Sequence, residues 1–340
     1  MGKRDTSLDL IKYILVCLVV LGHMLECTFD ANPVNEKVYS FIYSFHMPAF
    51  ILLSGYFFKK QDWKVGCKSS VNLLLVAIIF QILYFGDPLG EFVRGGVKLG
   101  SLDGLYCNVT HFYKPVVWYI VALAWWRILF TLIPSWWLKS KLKLLAGTII
   151  LSVIAGWVPL DHAFVFQRTL AFFPYFVLGY LVNQAKWLDW LKSIKWYYPT
   201  IIVVFYSFII WLVPHIPLSM LEQCFSYWSV GNNPLLIMVM RFVSYIWQLP
   251  LALSAISLFM KIPKNSWFVN EGKYTLFVYV YHAFLVYFIH KLVVVYDWNS
   301  SLICMLVYLA VVMISLSIFR HIPLLRNLLN PIKIFATEHR

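Results

Sequence analysis

Charge is scarce in this sequence. Only 13% of its 340 residues are charged, whereas 61% are hydrophobic and 19% aromatic; a soluble domain carries about a quarter charged residues. Such a chain cannot solvate a surface in water, which excludes a soluble globular protein and leaves a multi-pass membrane protein. Carboxylates are scarcest, 15 against 28 Lys and Arg, for a net charge of +13. In a soluble chain that excess would raise nucleic acid as a partner. Here the charges fall between apolar stretches and report topology instead. The six cysteines (17, 27, 67, 107, 224 and 304) show no paired spacing, which excludes a disulfide framework. Cys27, Cys107 and Cys224 fall in connections of one side, so a single disulfide among them stays open. There is no His-Glu-x-x-His, close cysteine pair or carboxylate cluster, so no metal is expected. The lack of a Gly-x-Ser-x-Gly elbow argues against a serine triad, and no glycine-rich phosphate loop precedes a helix.

Long apolar runs are plentiful. Ten stretches are long enough to span a bilayer, near 8–25, 38–57, 70–85, 115–133, 142–160, 168–184, 197–217, 235–259, 273–292 and 300–319. The third and sixth read as short, and the eighth is long enough to tilt or to kink at Pro250. Lysine and arginine sort the connections into two alternating sets. One set holds 19 of the 28 basic residues: those at 3–4, 59–68, 139–143, 186–195, 261–273 and 320–340. The other holds Lys37, Arg94, Lys98, Lys114, Arg168 and Lys291 together with most of the acidic residues. The expectation is an all-α polytopic bundle of about ten transmembrane helices with both termini cytoplasmic, forming a single domain over 1–340 with no appended soluble domain. Lys3 and Arg4 precede an apolar stretch, but Asp9 and Lys12 interrupt it and no small-x-small cleavage site follows. An uncleaved first span is expected.

That first span carries the most informative pattern. Lys12 and His23 are eleven positions apart, about three helical turns plus 20°, so both project from one stripe about 16 Å apart along the axis. Asp9 lies three residues before Lys12, where it can pair with the ammonium. Taken alone, His23 could be an interfacial histidine bonded to a carbonyl, but two costly groups on one apolar helix mark a functional face. Further polar groups recur at depth. His46 is followed by Pro48, which removes a backbone donor and frees carbonyls near the histidine. Arg127 lies well inside the fourth span, which opens with Trp118 and Tyr119. Arg168 opens a span that contains Pro174, Arg241 lies one to two turns inside the eighth, and His282 is near the middle of the ninth. For Trp118 and His282 the plainer readings are an aromatic anchor and a histidine bonded to a neighbouring helix. Imidazoles and arginines in a membrane cavity with few carboxylates suit general-base or nucleophilic acyl transfer, with arginines binding anionic groups.

In order along the chain, these residues resemble the membrane-bound acyltransferase 3 family, and within it the small polysaccharide O-acetyltransferases related to fucose 4-O-acetylase. Lys12, ten intervening residues and His23 match its first-span pair. Ser44-Phe45-His46-Met47-Pro48 with Leu53-Ser54-Gly55-Tyr56 is similar to its second-span signature. Trp118-Tyr119, Arg168 to Gly179 and Gly272 to His282 resemble later blocks in the same order. The family more often has arginine where Lys12 stands; a lysine binds anions as a point charge rather than bidentately.

The resemblance implies an acyl donor, usually acetyl-coenzyme A, arriving from the cytoplasm, and an acceptor hydroxyl on a surface or lipid-linked saccharide at the outer side. It also implies a bacterial plasma membrane location. On this reading His23 is the catalytic base or transient acyl carrier, with His46 and His282 in the same cavity. Lys12 and Arg127 hold the donor's phosphates, and Arg168, Arg241, Trp118 and Tyr119 contact the acceptor. Some family members carry an extracytoplasmic hydrolase-like domain; here the bundle is expected to deliver the acyl group itself. The alternative is a transporter or flippase for a lipid-linked sugar, against which stands the lack of repeated halves with paired broken helices.

Overall fold

A computed structural model describes residues 6–26, 28–85, 117–161, 163–213, 216–231 and 233–332. The connection at 86–114 and the residues Lys3, Arg4, Cys27, Cys107, Lys333 and Arg340 lie outside these ranges. The possible disulfide therefore lies outside them too. Every described regular element is helical. The main helices are α1 (Thr6–Glu26), α2 (Pro33–Tyr43), α3 (His46–Phe57), α4 (Trp63–Phe85), α5 (Trp118–Leu132), α6 (Lys141–Ala155) and α7 (Phe166–Ala185). They continue with α8 (Trp187–Ser193), α9 (Tyr197–Leu212), α10 (Pro234–Phe259), α11 (Ser266–Glu271), α12 (Thr275–His290) and α13 (Leu302–Phe319).

Each of the ten expected spans contains a helix. Seven are long and apolar enough to cross a membrane, and an eighth is added if the pair α8–α9, bent by 87°, counts as one span. The short spans are not the third and sixth, as expected. Those are α4 and α7, 23 and 20 residues long, because each begins in polar sequence that a hydropathy reading trims. The short ones are α5 and α6, at 15 residues each. Helix α5 ends where Ile133 is forced extended by the following Pro134. Pro250 sits inside the single continuous helix α10.

The second span is broken just ahead of His46. Asn32 caps α2 by accepting from Val34 N at 3.1 Å, and Pro33 occupies the first turn, where its missing N–H is no loss. Ser44 and Phe45 interrupt the helix, and Pro48 falls in the first turn of α3, a position that tolerates it. Lys186 in the left-handed region (φ 57°) separates α7 from α8, a short helix that buries Leu188 and Leu191 while exposing Trp187 and Trp190. That division of faces suits a helix lying in an interface.

The chain divides into two compact units. The first comprises Met1–Phe57, Leu178–Glu222 and Met240–Ser317. At its centre is α1, packed by α2, α3, α11 and α12. It is apolar nearly all round and buried on most of its surface, as a central helix should be, whereas α13 is largely exposed. Glycines let backbones close in, which matters where lipid supplies no hydrophobic drive between helices. A Cβ on Gly179 would lie 1.9 Å from Leu52 O, and one on Gly272 1.8 Å from Asp9 O.

The second unit comprises Phe58–Val177, Gln223–Val239 and Ile318–Arg340, and α4 pairs with α5 along most of its length. Ser70 Oγ donates to Ala124 O, and Gly66 lies against Thr131, which sets the two helices antiparallel. Buried Gln167 donates to Ala155 O and Val158 O at and just past the end of α6, tying the start of α7 to it.

Hydrogen bonds between connections join members of the same charge set. In the first unit Lys261 Nζ donates to Ile194 O, both in the basic set. Asn35 Nδ2 donates to Ser300 O, and Lys37 Nζ to Val213 O, all in the other set. In the second unit Lys60 Nζ donates to Ile133 O, and Ser226 N to an Asp161 oxygen. The alternation read from lysine and arginine is thus matched by which loops touch.

Candidate active site

The first unit gathers three imidazoles around α1. His23, in the last turn of α1, stacks near-parallel on His282 of α12, with ring centroids 5.4 Å apart and planes 14° apart. His46 joins them through Tyr43: its ring lies edge-on to the Tyr43 ring at 4.5 Å, and Tyr43 Oη reaches His23 Nδ1 at 3.3 Å. Helices α2, α3 and α12 therefore bring the three histidines named from sequence to one place.

Their hydrogen bonds assign them different roles. His46 Nδ1 lies 2.8 Å from Ile42 O, and His282 Nδ1 lies 2.8 Å from Tyr279 O and 3.2 Å from Val278 O. A carbonyl can only accept, so in both rings Nδ1 carries the proton, and in the neutral ring Nε2 holds the lone pair. His282 is 0% exposed, and its Nε2 has no hydrogen-bond partner among the described residues. His23 differs, because its Nδ1 is held by side chains: Glu26 Oε2 at 3.4 Å and Tyr43 Oη.

Tyr43 is the hub of this arrangement. Its ring stacks on Tyr39 at 3.7 Å, meets His46 on another side and lies against Gly22, where a Cβ would come within 2.6 Å of its Cε2. Tyr39 is anchored in turn by a hydrogen bond to Glu222 Oε1 at 3.2 Å. Sequence alone assigns Tyr43, Glu26, Tyr39 and Glu222 no part in the site. A signal is present in it all the same: Glu26 is three residues after His23, a spacing that places side chains on one helical face, and Tyr43 is three residues before His46 across the break at Ser44 and Phe45.

Lys12 faces the same neighbouring span as His23. Its ammonium lies 5.0 Å from the centroid of Phe57 at the end of α3, while His23 meets Tyr43 at the end of α2. Both groups thus point from α1 toward the second span, as the eleven-residue spacing requires. Lys12 Nζ also bonds Asp9 Oδ1 at 2.7 Å, the pairing expected from their spacing, and the side chains are 18% and 1% exposed. Losing the ammonium would take an ion pair away from a buried carboxylate. Lys12→Met is therefore expected to destabilise the protein by about 3–5 kcal/mol, whereas Lys12→Arg keeps the charge. Thermal unfolding of the detergent-solubilised variants checks this. Arg241 is buried on α10 of the same unit.

The second unit holds the other named residues. Arg168, at the start of α7, lays its guanidinium over the Trp118 ring, 4.8 Å from the centroid, and Tyr119 packs edge-on against Trp118 at 6.1 Å. Trp118 and Tyr119 are both buried. Just ahead, Phe164 and Val165 both have positive φ, 51° and 60°, a strained entry for bulky side chains. Within α7, Pro174 withdraws a backbone donor, and more than a turn earlier Thr169 O accepts Trp126 Nε1 at 2.6 Å. Arg127 follows Trp126 on α5, with its Nε buried. Among the described residues no group of three His, Cys, Asp or Glu side chains could hold a metal ion.

Comparison with known proteins bears on this constellation. The chain is 30% identical to the nodulation protein NolL of Sinorhizobium fredii (strain NBRC 101917 / NGR234) over 196 residues, 54% of this chain and 50% of that protein. It is 25% identical to the nodulation protein NolL of Mesorhizobium japonicum (strain LMG 29417 / CECT 9101 / MAFF 303099) over 211 residues, 61% and 54% of the two chains. The chain spans about half the length of these curated relatives. No solved structure matches it. The acyltransferase domain of the acyltransferase 3 family matches residues 5–320, a stretch that takes in α1 to α13 and every residue of both clusters. By that extent, this multi-pass helical membrane protein belongs to the acyltransferase 3 family.

Proposed function

We propose that the protein is an O-acyltransferase of the bacterial plasma membrane that moves an acetyl group from cytoplasmic acetyl-coenzyme A to a hydroxyl of a surface or lipid-linked saccharide on the outer side. One observation carries the reading: of the three clustered imidazoles, His23 is the one whose Nδ1 meets side-chain oxygens, those of Glu26 and Tyr43. With Nδ1–H donating toward Glu26, His23 Nε2 is the basic nitrogen. It takes the proton of the acceptor hydroxyl as that oxygen attacks the thioester carbonyl. The carbon–sulfur bond then breaks, and the imidazolium returns its proton to the leaving thiolate. His282, stacked on the reacting ring, holds its plane, while His46 fixes Tyr43.

Lys12 and Arg127 are assigned to the donor's phosphates. An ammonium has three donors, of which Asp9 engages one. The basic set of connections faces the cytoplasm in this scheme, with both termini, and the chain acts as one domain. Arg168, Arg241, Trp118 and Tyr119 are assigned to the acceptor. A tryptophan held flat by a guanidinium is a stacking surface for a sugar ring. Trp118→Ala is expected to raise the KM for the acceptor about tenfold or more with a smaller change in kcat, read from initial rates at varied acceptor.

Purified protein in proteoliposomes, given labelled acetyl-coenzyme A and glycan from cells lacking the protein, tests the whole reading. Release of coenzyme A that depends on added glycan supports it. Saccharide translocation without donor consumption overturns it in favour of transport.

A further inference from the structure

We propose that Glu26 and Tyr43 are positioning residues that set the tautomer and direction of His23; this rests on the acyltransferase reading above. The observations are geometric. Two oxygens, one on the same helix and one on the neighbouring span, meet the same nitrogen of His23 at 3.4 and 3.3 Å. Neither His46 nor His282 has this arrangement, since each spends its Nδ1 on a carbonyl of its own chain segment, three or four residues back. A carboxylate accepts only. Glu26 therefore requires the proton on His23 Nδ1 and leaves Nε2 as the base, and when Nε2 takes a proton the carboxylate stabilises the cation that forms.

The second oxygen is fixed rather than adaptable. Tyr43 is stacked on Tyr39, edged by His46 and seated against the bare Cα of Gly22, so its hydroxyl cannot swing away from His23. Tyr39 is tethered to Glu222, which extends the brace to the short helix Leu218–Glu222. Glu26 sits at the solvent end of the array and is 39% exposed on its side chain, so a small anion in the medium can reach its position. The pair thus divides the task. Tyr43 aims the ring from a rigid packing site, and Glu26 supplies charge from the water side.

The test uses the full chain in proteoliposomes, with transfer from labelled acetyl-coenzyme A to extracted surface glycan. Glu26→Gln is expected to lower kcat about 100-fold with the KM for acetyl-coenzyme A unchanged, and Glu26→Asp to recover part of the loss. Tyr43→Phe, which removes one hydroxyl and keeps the ring, is expected to cost about tenfold in kcat. Glu26→Ala is expected to regain activity when formate is added, which a merely structural role would not allow. His23→Ala serves as the reference. If His23→Ala is inactive while Glu26→Gln and Tyr43→Phe turn over at the wild-type rate, the positioning assignment is overturned and the acyltransferase reading stands. The positioning assignment falls equally if Glu26→Ala gains nothing from formate and Glu26→Asp recovers nothing. If His23→Ala keeps wild-type turnover, the acyltransferase mechanism itself is overturned.

Discussion

His23→Ala is expected to abolish acetyl transfer, lowering kcat by about a thousandfold, within the range that a positioned general base contributes. The expectation rests on the division among the three imidazoles. His46 and His282 have their Nδ1 protons committed to Ile42 O and Tyr279 O, whereas His23 faces a carboxylate and a phenol. Only a ring backed by an anion gains stabilisation as it takes up a proton during the reaction. His282→Ala is expected to fall short of that loss, because it removes the stacked ring and a lone pair but leaves the base with both of its partners. Donor consumption and product formation by the purified variants, checked for monodispersity, compare the two. Equal losses in both would mean that the stacked pair reacts as one unit.

The second large effect is structural. Gly272→Ala is expected to destabilise the protein severely, at the upper end of the 1–3 kcal/mol, occasionally more, that overpacking costs. Gly272 has an ordinary φ of −60°, so alanine meets no backbone objection there. The obstacle is the neighbour: the new Cβ would lie 1.8 Å from Asp9 O and 2.5 Å from Asp9 C. Backbone atoms of the central helix cannot yield as a side-chain tip can, so α11 would have to back away from α1 beside the Asp9–Lys12 pair. Gly147→Ala is the control. Its Cβ would meet only the edge of Trp137 at 3.4 Å, inside a helix where alanine is favoured by about 1 kcal/mol. Thermal unfolding should fall for the first variant and hold or rise for the second.

Glycines also show what could be read without coordinates. Gly272 stands in a block that resembles a family motif, but nothing in the letters says that Asp9 O is its neighbour. The same holds for Tyr43. Its place beside His46 is visible as a three-residue spacing, yet its contact with His23 depends on how far α2 rotates against α1. In a soluble bundle a polar face would have reported that rotation. In lipid the inward and outward faces of a span are similarly apolar, so the pattern is weak. The break in the second span illustrates the middle ground. Pro48 announces a disturbance near His46, and tertiary packing places it at Ser44 and Phe45.

Composition and the spacing of apolar runs determined that this chain is an all-helical membrane protein with at least seven helices able to span. The alternation of lysine and arginine grouped its connections, because charge must stay outside hydrocarbon whatever the packing. Helical periodicity alone put Lys12 and His23 on one stripe, since 3.6 residues per turn is a property of the backbone. Tertiary structure decided the rest. It stacked His282 on His23, set Tyr43 and Glu26 at the same nitrogen, and placed Arg168 over Trp118. Apart from the His23–Glu26 pair, which is three residues apart, those contacts come from helix rotation and close approach, interactions between residues distant in the chain that local sequence does not encode.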